Sequence, residues 1–356
     1  LHSSLEVRAG VSERTTITVI GAGPCGLAVG VAAREAGMSC VMLDKGPVVS
    51  AIERYPLGMT FFSTPDHLEL GGVPFVSIAD KPSRAEALNY YRRIVSHFGL
   101  DVRQYEEVTR VGREGDGYVV RTRRHRGGEG EYRSDALVVA TGYFDTPNRL
   151  DVPGEELPKV SHYFREPHLY FDQDVVVVGA GNSAIDAALA TWRAGARVTL
   201  VHLFEDFDRG VKPWVLPDIR NRVKAQQIAV RWRSRLMAIE PGRVLVGPAG
   251  TEEEVSTAPG QGTAEWIAND FVLAMSGFRP DPRLLHSLDA PVDPETGVPE
   301  HDPETMETPV PGLFIAGVLA AGLDANRIFI QNGREHGARI VRSLRTRFID
   351  GVLQPK

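Results

Sequence analysis

The sequence predicts an α/β fold built from two Rossmann-like dinucleotide-binding domains, and three observations carry that prediction. A β-branched apolar run, Thr15–Ile20 (TTITVI), leads directly into the glycine-rich stretch Gly21–Gly26 (GAGPCG). The same order returns at Asp174–Val178 (DVVVV), which leads into Gly179–Ala184 (GAGNSA). The two first glycines stand 158 residues apart, about one domain length. Bulk properties agree: 356 residues leave room for two hydrophobic cores, and 42% hydrophobic with 24% charged residues exclude a disordered, collagenous or coiled-coil chain. A net charge of −6 leaves no basic surplus for neutralising nucleic-acid phosphates. Two cysteines, Cys25 and Cys40, are too few for a disulfide framework or a zinc site and suit a reducing, cytoplasmic setting.

Taken in order, Leu1–Arg14 shows no sustained periodicity and reads as a tail (1–14). Thr15–Ala33 carries no charge over nineteen residues, long enough for a membrane span. Its Gly21, Gly23, Pro24, Gly26 and Gly30 fit a nucleotide-binding turn better, so no membrane association is expected. A small-residue helix should run to about Ala36, stop at Gly37, and give way to a strand, Ser39–Leu43, that ends in Asp44. Ser83–Glu86 (SRAE) has the form of a capping box opening a helix. Short strands follow around Val102–Tyr105, Tyr118–Arg123 and Tyr132–Val139, and the basic run Arg121–Arg126 reads as a solvated hairpin turn. Leu137–Ala140 is a strand entering Thr141-Gly142. After the second glycine turn come a helix to about Ala194 and the strand Arg197–Val201. Arg243–Val246 and Glu265–Ala274 bracket a Gly/Pro-rich hairpin, Met275–Pro280 marks a crossover, and Leu313–Ala316 is a buried strand ending at Gly317. An amphipathic helix, about Gln331–Phe348, closes the pattern. The expected division is therefore a split first domain, 15–148 with 275–350, and an inserted second domain, 149–274.

In a G-x-G-x-x-G turn the first glycine permits the tight bend, the second lets a pyrophosphate approach, and the third packs helix on strand. Gly21, Gly23 and Gly26 fit those roles, with Pro24 among the expected cofactor contacts and Asp44 placed to accept ribose hydroxyls. The second turn offers Gly179, Gly181, Asn182, Ser183 and Ala184, and its following strand ends at His202 rather than at an acid. With no carboxylate there to repel a 2′-phosphate, NADPH is expected over NADH. The arginine that often follows such a strand is missing, since Leu203, Phe204, Glu205 and Asp206 come next; Arg209 and Lys212 are the nearest cations. Two dinucleotide sites imply that one nucleotide reduces the other, so the chain reads as an NAD(P)H-dependent flavoprotein binding FAD. Lys45, Phe62, Val108, Thr141, Gly142, Gly317 and Ile330 complete the expected flavin contacts, with Phe61 and Phe62 as exposed loop aromatics over the ring.

These motifs, in this order, resemble the flavoproteins of thioredoxin-reductase size. That group's redox centre is a Cys-x-x-Cys in the second domain, and no cysteine follows Cys40, so thioredoxin reductase itself is excluded. More specifically the chain resembles the bacillithiol-disulfide reductase family. The stretches that carry this are Gly-Ala-Gly-Pro-Cys25-Gly, Phe61-Phe-Ser63, Lys81–Arg84 with Tyr90-Tyr91-Arg92, Thr141–Asn148, Lys212–Pro217 and Ile328–Arg334. The resemblance implies NADPH-driven reduction of a low-molecular-weight disulfide, bacillithiol disulfide, by a homo-oligomer, dimer or tetramer. It also implies a redox role for Cys25. The Gly-Asp usual after the late strand is Gly317-Val318 here, which leaves that flavin-phosphate contact to backbone.

Cys25 falls in the first helical turn, where the N-terminal dipole stabilises a thiolate, while a bound pyrophosphate would oppose ionisation. Its alternatives are a nucleophile that forms a mixed disulfide, resolved by reduced flavin, or a small residue packed beside the cofactor. Cys40, among Met38, Val41, Met42 and Leu43, reads as a buried thiol. His162 and His168 read as linker residues and His336 as a surface or capping residue; Tyr90, Tyr91, Phe98 and Tyr105 read as packed or half-buried. No cluster has metal-ligand spacing. Rival readings are a flavin monooxygenase, a ferredoxin–NADP reductase, or an NADPH-binding redox sensor without turnover.

Overall fold

The computed structural model describes residues 13–250, 264–324 and 326–349. The chain runs through β1 (Glu13–Ile20), α1 (Pro24–Glu35), β2 (Cys40–Asp44), α2 (Arg84–Phe98), β3 (Asp101–Gln104), β4 (Glu106–Glu114), β5 (Gly117–Arg124) and β6 (Glu129–Val139). It continues with β7 (Val160–Ser161), β8 (Asp174–Val178), α3 (Asn182–Arg193), β9 (Arg197–Val201), α4 (Leu216–Lys224), β10 (Ala229–Arg231), β11 (Ser234–Glu240), β12 (Arg243–Pro248), β13 (Glu265–Ala268) and β14 (Phe271–Ala274). Then come β15 (Leu313–Ile315), α5 (Ile330–Gly333) and α6 (His336–Ile349). Among the described residues, those up to Glu53, Met59–Thr146 and from Arg279 onward form one compact unit, and Arg54–Gly58 with Pro147–Phe278 form a second.

The first unit's sheet has the order β3-β2-β1-β6-β5-β4, with β15 also pairing β6. β1 lies parallel to both β2 and β6, in the register Ile17↔Cys40 and Ile17↔Ala136. β6 changes character along its length. Its first half, Glu129–Ser134, pairs antiparallel with β5, while Leu137–Val139 runs parallel to β15. Its burial alternates over the first half and is continuous from Ala136 on. That is the difference between a strand wet on one face and a strand covered on both. The core beneath it holds Ile17, Leu27, Met42, Leu137, Phe314 and Ile340, all 0–1% exposed.

The second unit repeats the parallel pattern as β10-β9-β8-β14-β7, beside an antiparallel sheet β11-β12-β13. β8 shows why a run of four valines was needed. Val175 and Val177 pack with Ile185, Leu200 and Leu273 on the α3 side. Val176 faces the opposite way, into Leu236, Val244 and Val272.

Several expectations are met in detail. Ser83 and Glu86 form the capping box of α2: Ser83 Oγ accepts from the Glu86 N–H, and Glu86 Oε2 accepts from the Ser83 N–H at 2.7 Å. The hairpin turn falls between β5 and β6, just past Arg124. Others need correction. β1 begins at Glu13, inside the expected tail, because Glu13 and Arg14 pair with Tyr132 and Arg133. β4 was not anticipated, since Glu106–Glu114 is charged along most of its length and its bulge at Val108/Arg110 breaks the alternation. The closing helix is two helices, α5 and α6. Tyr105 is 51% exposed rather than packed, at a left-handed turn (φ 57°) between β3 and β4. Much of the expected Gly/Pro hairpin, 251–263, lies outside the described residues. No helix among the described residues is long and apolar enough to cross a membrane.

Candidate active site

The three glycines of the first turn are required for three different reasons. Gly21 has φ +109°, and a Cβ there would stand 2.3 Å from the Ala140 carbonyl oxygen. A Cβ on Gly26 would stand 2.0 Å from the Gly21 oxygen, so α1 and β1 meet backbone to backbone. Gly23 has an ordinary φ of −71° and nothing within 4 Å of its Cβ position. The first glycine therefore permits the left-handed bend, the third the close packing of helix on strand, and the second faces open space at the N-terminus of α1. That is the geometry of a pyrophosphate approach.

Asp44, at the end of β2 and 8% exposed, bonds this turn to the next loop. Its Oδ2 accepts from the Ala22 N–H at 2.7 Å and its Oδ1 from the Gly46 N–H at 2.8 Å. Burial raises its pKa, against the pull of those two amides. The exposed Lys45 pairs with Asp145 at 3.0 Å, tying the end of β2 to the chain that follows Thr141-Gly142. Gly142 takes a left-handed φ of +70° and Thr141 is exposed.

Cys25 is the second residue of α1, and its sulfur lies among glycines. Sγ is 3.1 Å from the position a Cβ would take on Gly317 and 2.8 Å from that on Gly333. Burial pushes the thiol up to about 12, as it does for Cys40, where Asp101 adds to the effect. For Cys25 this loss of hydration disfavours the thiolate, the same direction as a bound pyrophosphate and opposite to the helix terminus. The contact with Gly333 was not foreseen. Its only sequence trace is a glycine in the first turn of a short helix.

His336 also departs from expectation. It is 7% exposed, and its Nδ1 accepts the N–H of Gly317 at 3.1 Å. The proton of the neutral ring therefore sits on Nε2. Burial, helped by Arg339 and His301, lowers its pKa to about 4. The Gly317 amide, expected to face a flavin phosphate, is thereby already engaged. Since His336 holds fewer protons folded than unfolded, its contribution to stability is complete above about pH 6.5 and is lost as pH falls toward 4. Acidification from pH 7 to 5 should lower unfolding free energy by on the order of 2 kcal/mol through this group. Denaturant titrations of His336→Asn should lack that part of the slope.

The remaining first-unit candidates are scattered. Phe62 is 36% exposed but Phe61 only 6%, because its N–H donates to the Pro82 carbonyl and its ring turns inward. The expected pair of exposed aromatics is therefore one. Val108 pairs with Thr122 at the bulge of β4, and Ile330 opens α5, three residues before Gly333.

In the second turn Gly179 has φ +112°, and a Cβ there would stand 2.5 Å from the Met275 oxygen and 3.5 Å from the Ala184 methyl. Asn182 binds the loop that follows β9: its amide donates to the Gly210 carbonyl and its Oδ1 accepts from the Lys212 N–H, both at 2.9 Å. Ser183 is exposed. His202 is 6% exposed, with Nε2 3.3 Å from Asp208 Oδ1; burial lowers its pKa against the pull of Asp208. The other oxygen, Asp208 Oδ2, lies 3.0 Å from the Cβ position of Gly181. The sequence reading found no carboxylate at this strand end. The fold brings one there, because the loop doubles back and the Asp208 N–H donates to the Ala180 carbonyl at 3.2 Å.

The chain is similar to known proteins over most of its length. The sequence profile described as pyridine nucleotide-disulphide oxidoreductase matches residues 18–317. A bacilliredoxin reductase Bdr of Bacillus subtilis is 41% identical over 330 residues, covering 92% of this chain and 97% of that protein. The structure titled bacillithiol disulfide reductase Bdr (YpdA) from Bacillus cereus superposes with a TM-score of 0.89 at 40% identity, over 94% of this chain and 100% of that one. Thioredoxin reductase of T. acidophilum, at 19% identity and a TM-score of 0.72, covers 96% of this chain and 100% of its own, and shares the fold.

Proposed function

From the premise that the chain belongs to the pyridine nucleotide-disulphide oxidoreductase family, we propose that it is an FAD-dependent, NAD(P)H-driven reductase of a low-molecular-weight disulfide, bacillithiol disulfide foremost. The observation that carries this reading is the first glycine turn, which pairs open space at Gly23 with a thiol two residues on, at Cys25. The first unit would hold FAD and the second the nicotinamide nucleotide. When bound, the nucleotide supplies a hydride and the flavin accepts it and passes on two electrons.

The chain's own residues do the rest. Gly23 and the N-terminus of α1 admit the pyrophosphate. Asp44 fixes the Gly21–Gly26 turn through Ala22, and Lys45 holds the rim through Asp145. Cys25 would attack one sulfur of the substrate, form a mixed disulfide and release the other half as a thiol. Two electrons and two protons, one of them from solvent, then return Cys25 to its thiol and free the second half as a thiol.

The relatives' names separate two kinds of disulfide, a small-molecule one and a bacilliredoxin protein. A substrate panel decides between them. NAD(P)H oxidation should depend on bacillithiol disulfide and stay low with cystine, glutathione disulfide or oxidised bacilliredoxin alone. Nucleotide oxidation at one rate with or without any disulfide would defeat the proposal.

A further inference from the structure

We infer that Asp208 is an internal competitor at the second glycine turn, its carboxylate standing where a dinucleotide's pyrophosphate would lie, so that a dinucleotide binds only by displacing it. The inference rests on the reading of the second unit as the nicotinamide-nucleotide domain and adds to it a control on entry. The two turns of this chain differ at one point. Gly23 and Gly181 are each the second glycine of their turn and the N-cap of the helix that follows, with φ/ψ of −71°/175° and −83°/−175°. A Cβ on Gly23 would meet nothing within 4 Å, whereas one on Gly181 would meet Asp208 Oδ2 at 3.0 Å. The backbone is the same in both; only the second turn carries an acid at the place where the missing side chain lets a pyrophosphate approach.

The loop that bears Asp208 is fastened on both sides of it. Before it, Asp206 accepts from Arg220 of α4 at 2.8 Å. After it, Asn182, the first residue of α3, donates to the Gly210 carbonyl and accepts from the Lys212 N–H, both at 2.9 Å. The Asp208 N–H itself donates to the Ala180 carbonyl at 3.2 Å. Between these ties the Asp208 side chain is 45% exposed, with Oδ1 3.3 Å from His202 Nε2. The carboxylate can therefore turn out into water while the loop stays fastened. A helix N-terminus favours a carboxylate for the same reason that it favours a phosphate, through its unpaired N–H groups and its dipole. Two anions in one place repel, so one must leave before the other enters. The contact is with the glycine turn and not with a ribose, so the competition bears equally on ligands with and without a 2′-phosphate.

The experiment uses the FAD-loaded enzyme and two readouts. Calorimetric titration with ADP-ribose and with its 2′-phosphate measures affinity without turnover, and anaerobic stopped-flow bleaching of the flavin by NADH and NADPH follows reduction. Asp208→Asn removes the charge at constant size, and Asp208→Ala removes the contact. Each should bind both ADP-ribose ligands ~10-fold more tightly than wild type, with their ratio unchanged. Flavin reduction should saturate at correspondingly lower nucleotide concentration and at the wild-type maximal rate. Affinities unchanged or weakened in both variants, or tightening for only one of the two ligands, would overturn the inference and leave the proposed function standing. A wild-type flavin that neither nucleotide reduces, in an enzyme that binds neither ADP-ribose ligand in any variant, would overturn both.

Discussion

Gly23→Thr should yield a folded, colourless protein. The position has φ −71° and ψ 175°, which any residue can adopt, and nothing lies within 4 Å of the new Cβ. Threonine is also an acceptable residue at a helix N-cap, which is where Gly23 stands. Folding stability should therefore change by less than about 1 kcal/mol. The added atoms do occupy the space through which a pyrophosphate reaches the amides of α1, so affinity for FAD should fall by ~100-fold or more, about 2.7 kcal/mol. The neighbouring glycines should behave in the opposite way. A Cβ on Gly26 overlaps the Gly21 oxygen, so Gly26→Val should cost at least about 3 kcal/mol and give poorly folded protein. Circular dichroism melts set beside the flavin absorbance of the purified variants check both statements. A yellow Gly23→Thr protein with normal flavin content would show that the open space is not the pyrophosphate's.

Cys25→Ser should keep its flavin and lose disulfide turnover. Serine is nearly isosteric, so the sulfur's place between Gly317 and Gly333 is filled without a new clash. If Cys25 is the attacking sulfur, disulfide-dependent kcat should drop by ~1,000-fold, while anaerobic reduction of the flavin by the nucleotide stays within ~3-fold of wild type. Because burial holds the thiol at about 12, the reactive thiolate is scarce at neutral pH. With thiolate attack limiting, wild-type turnover should rise close to tenfold per pH unit between pH 7 and 9, with no plateau. Unchanged turnover by Cys25→Ser would remove the nucleophile role and leave packing beside the cofactor as the residue's task.

The parts of this site that could be read in advance share one property: their chemistry is local. Thr15–Ile20, Gly21–Gly26 and Asp44 lie within one βαβ unit, and their spacing carries the turn, the helix start and the strand-end acid. The capping box at Ser83–Glu86 is local in the same sense, four residues that bond to one another. Misreadings arose where long-range partners decide the matter. Phe61 and Phe62 are identical and adjacent, yet one is buried and the other partly exposed. β4 is charged and bulged, and is a strand because β5 offers it a partner.

By itself, then, the sequence determined that two glycine turns exist, that each leads into a helix, and that Cys25 stands inside the first. Backbone conformation and hydrogen bonding within a few residues suffice for those features. Only the tertiary structure decided that Gly317 and Gly333 enclose the Cys25 sulfur, that His336 is a buried acceptor, and that Asp208 returns a carboxylate to the second turn. Each of these depends on loss of water and on contacts between segments distant in sequence or on a loop folding back. Residue spacing carries no record of either, and loss of water moves both the Cys25 thiol and the His336 imidazole.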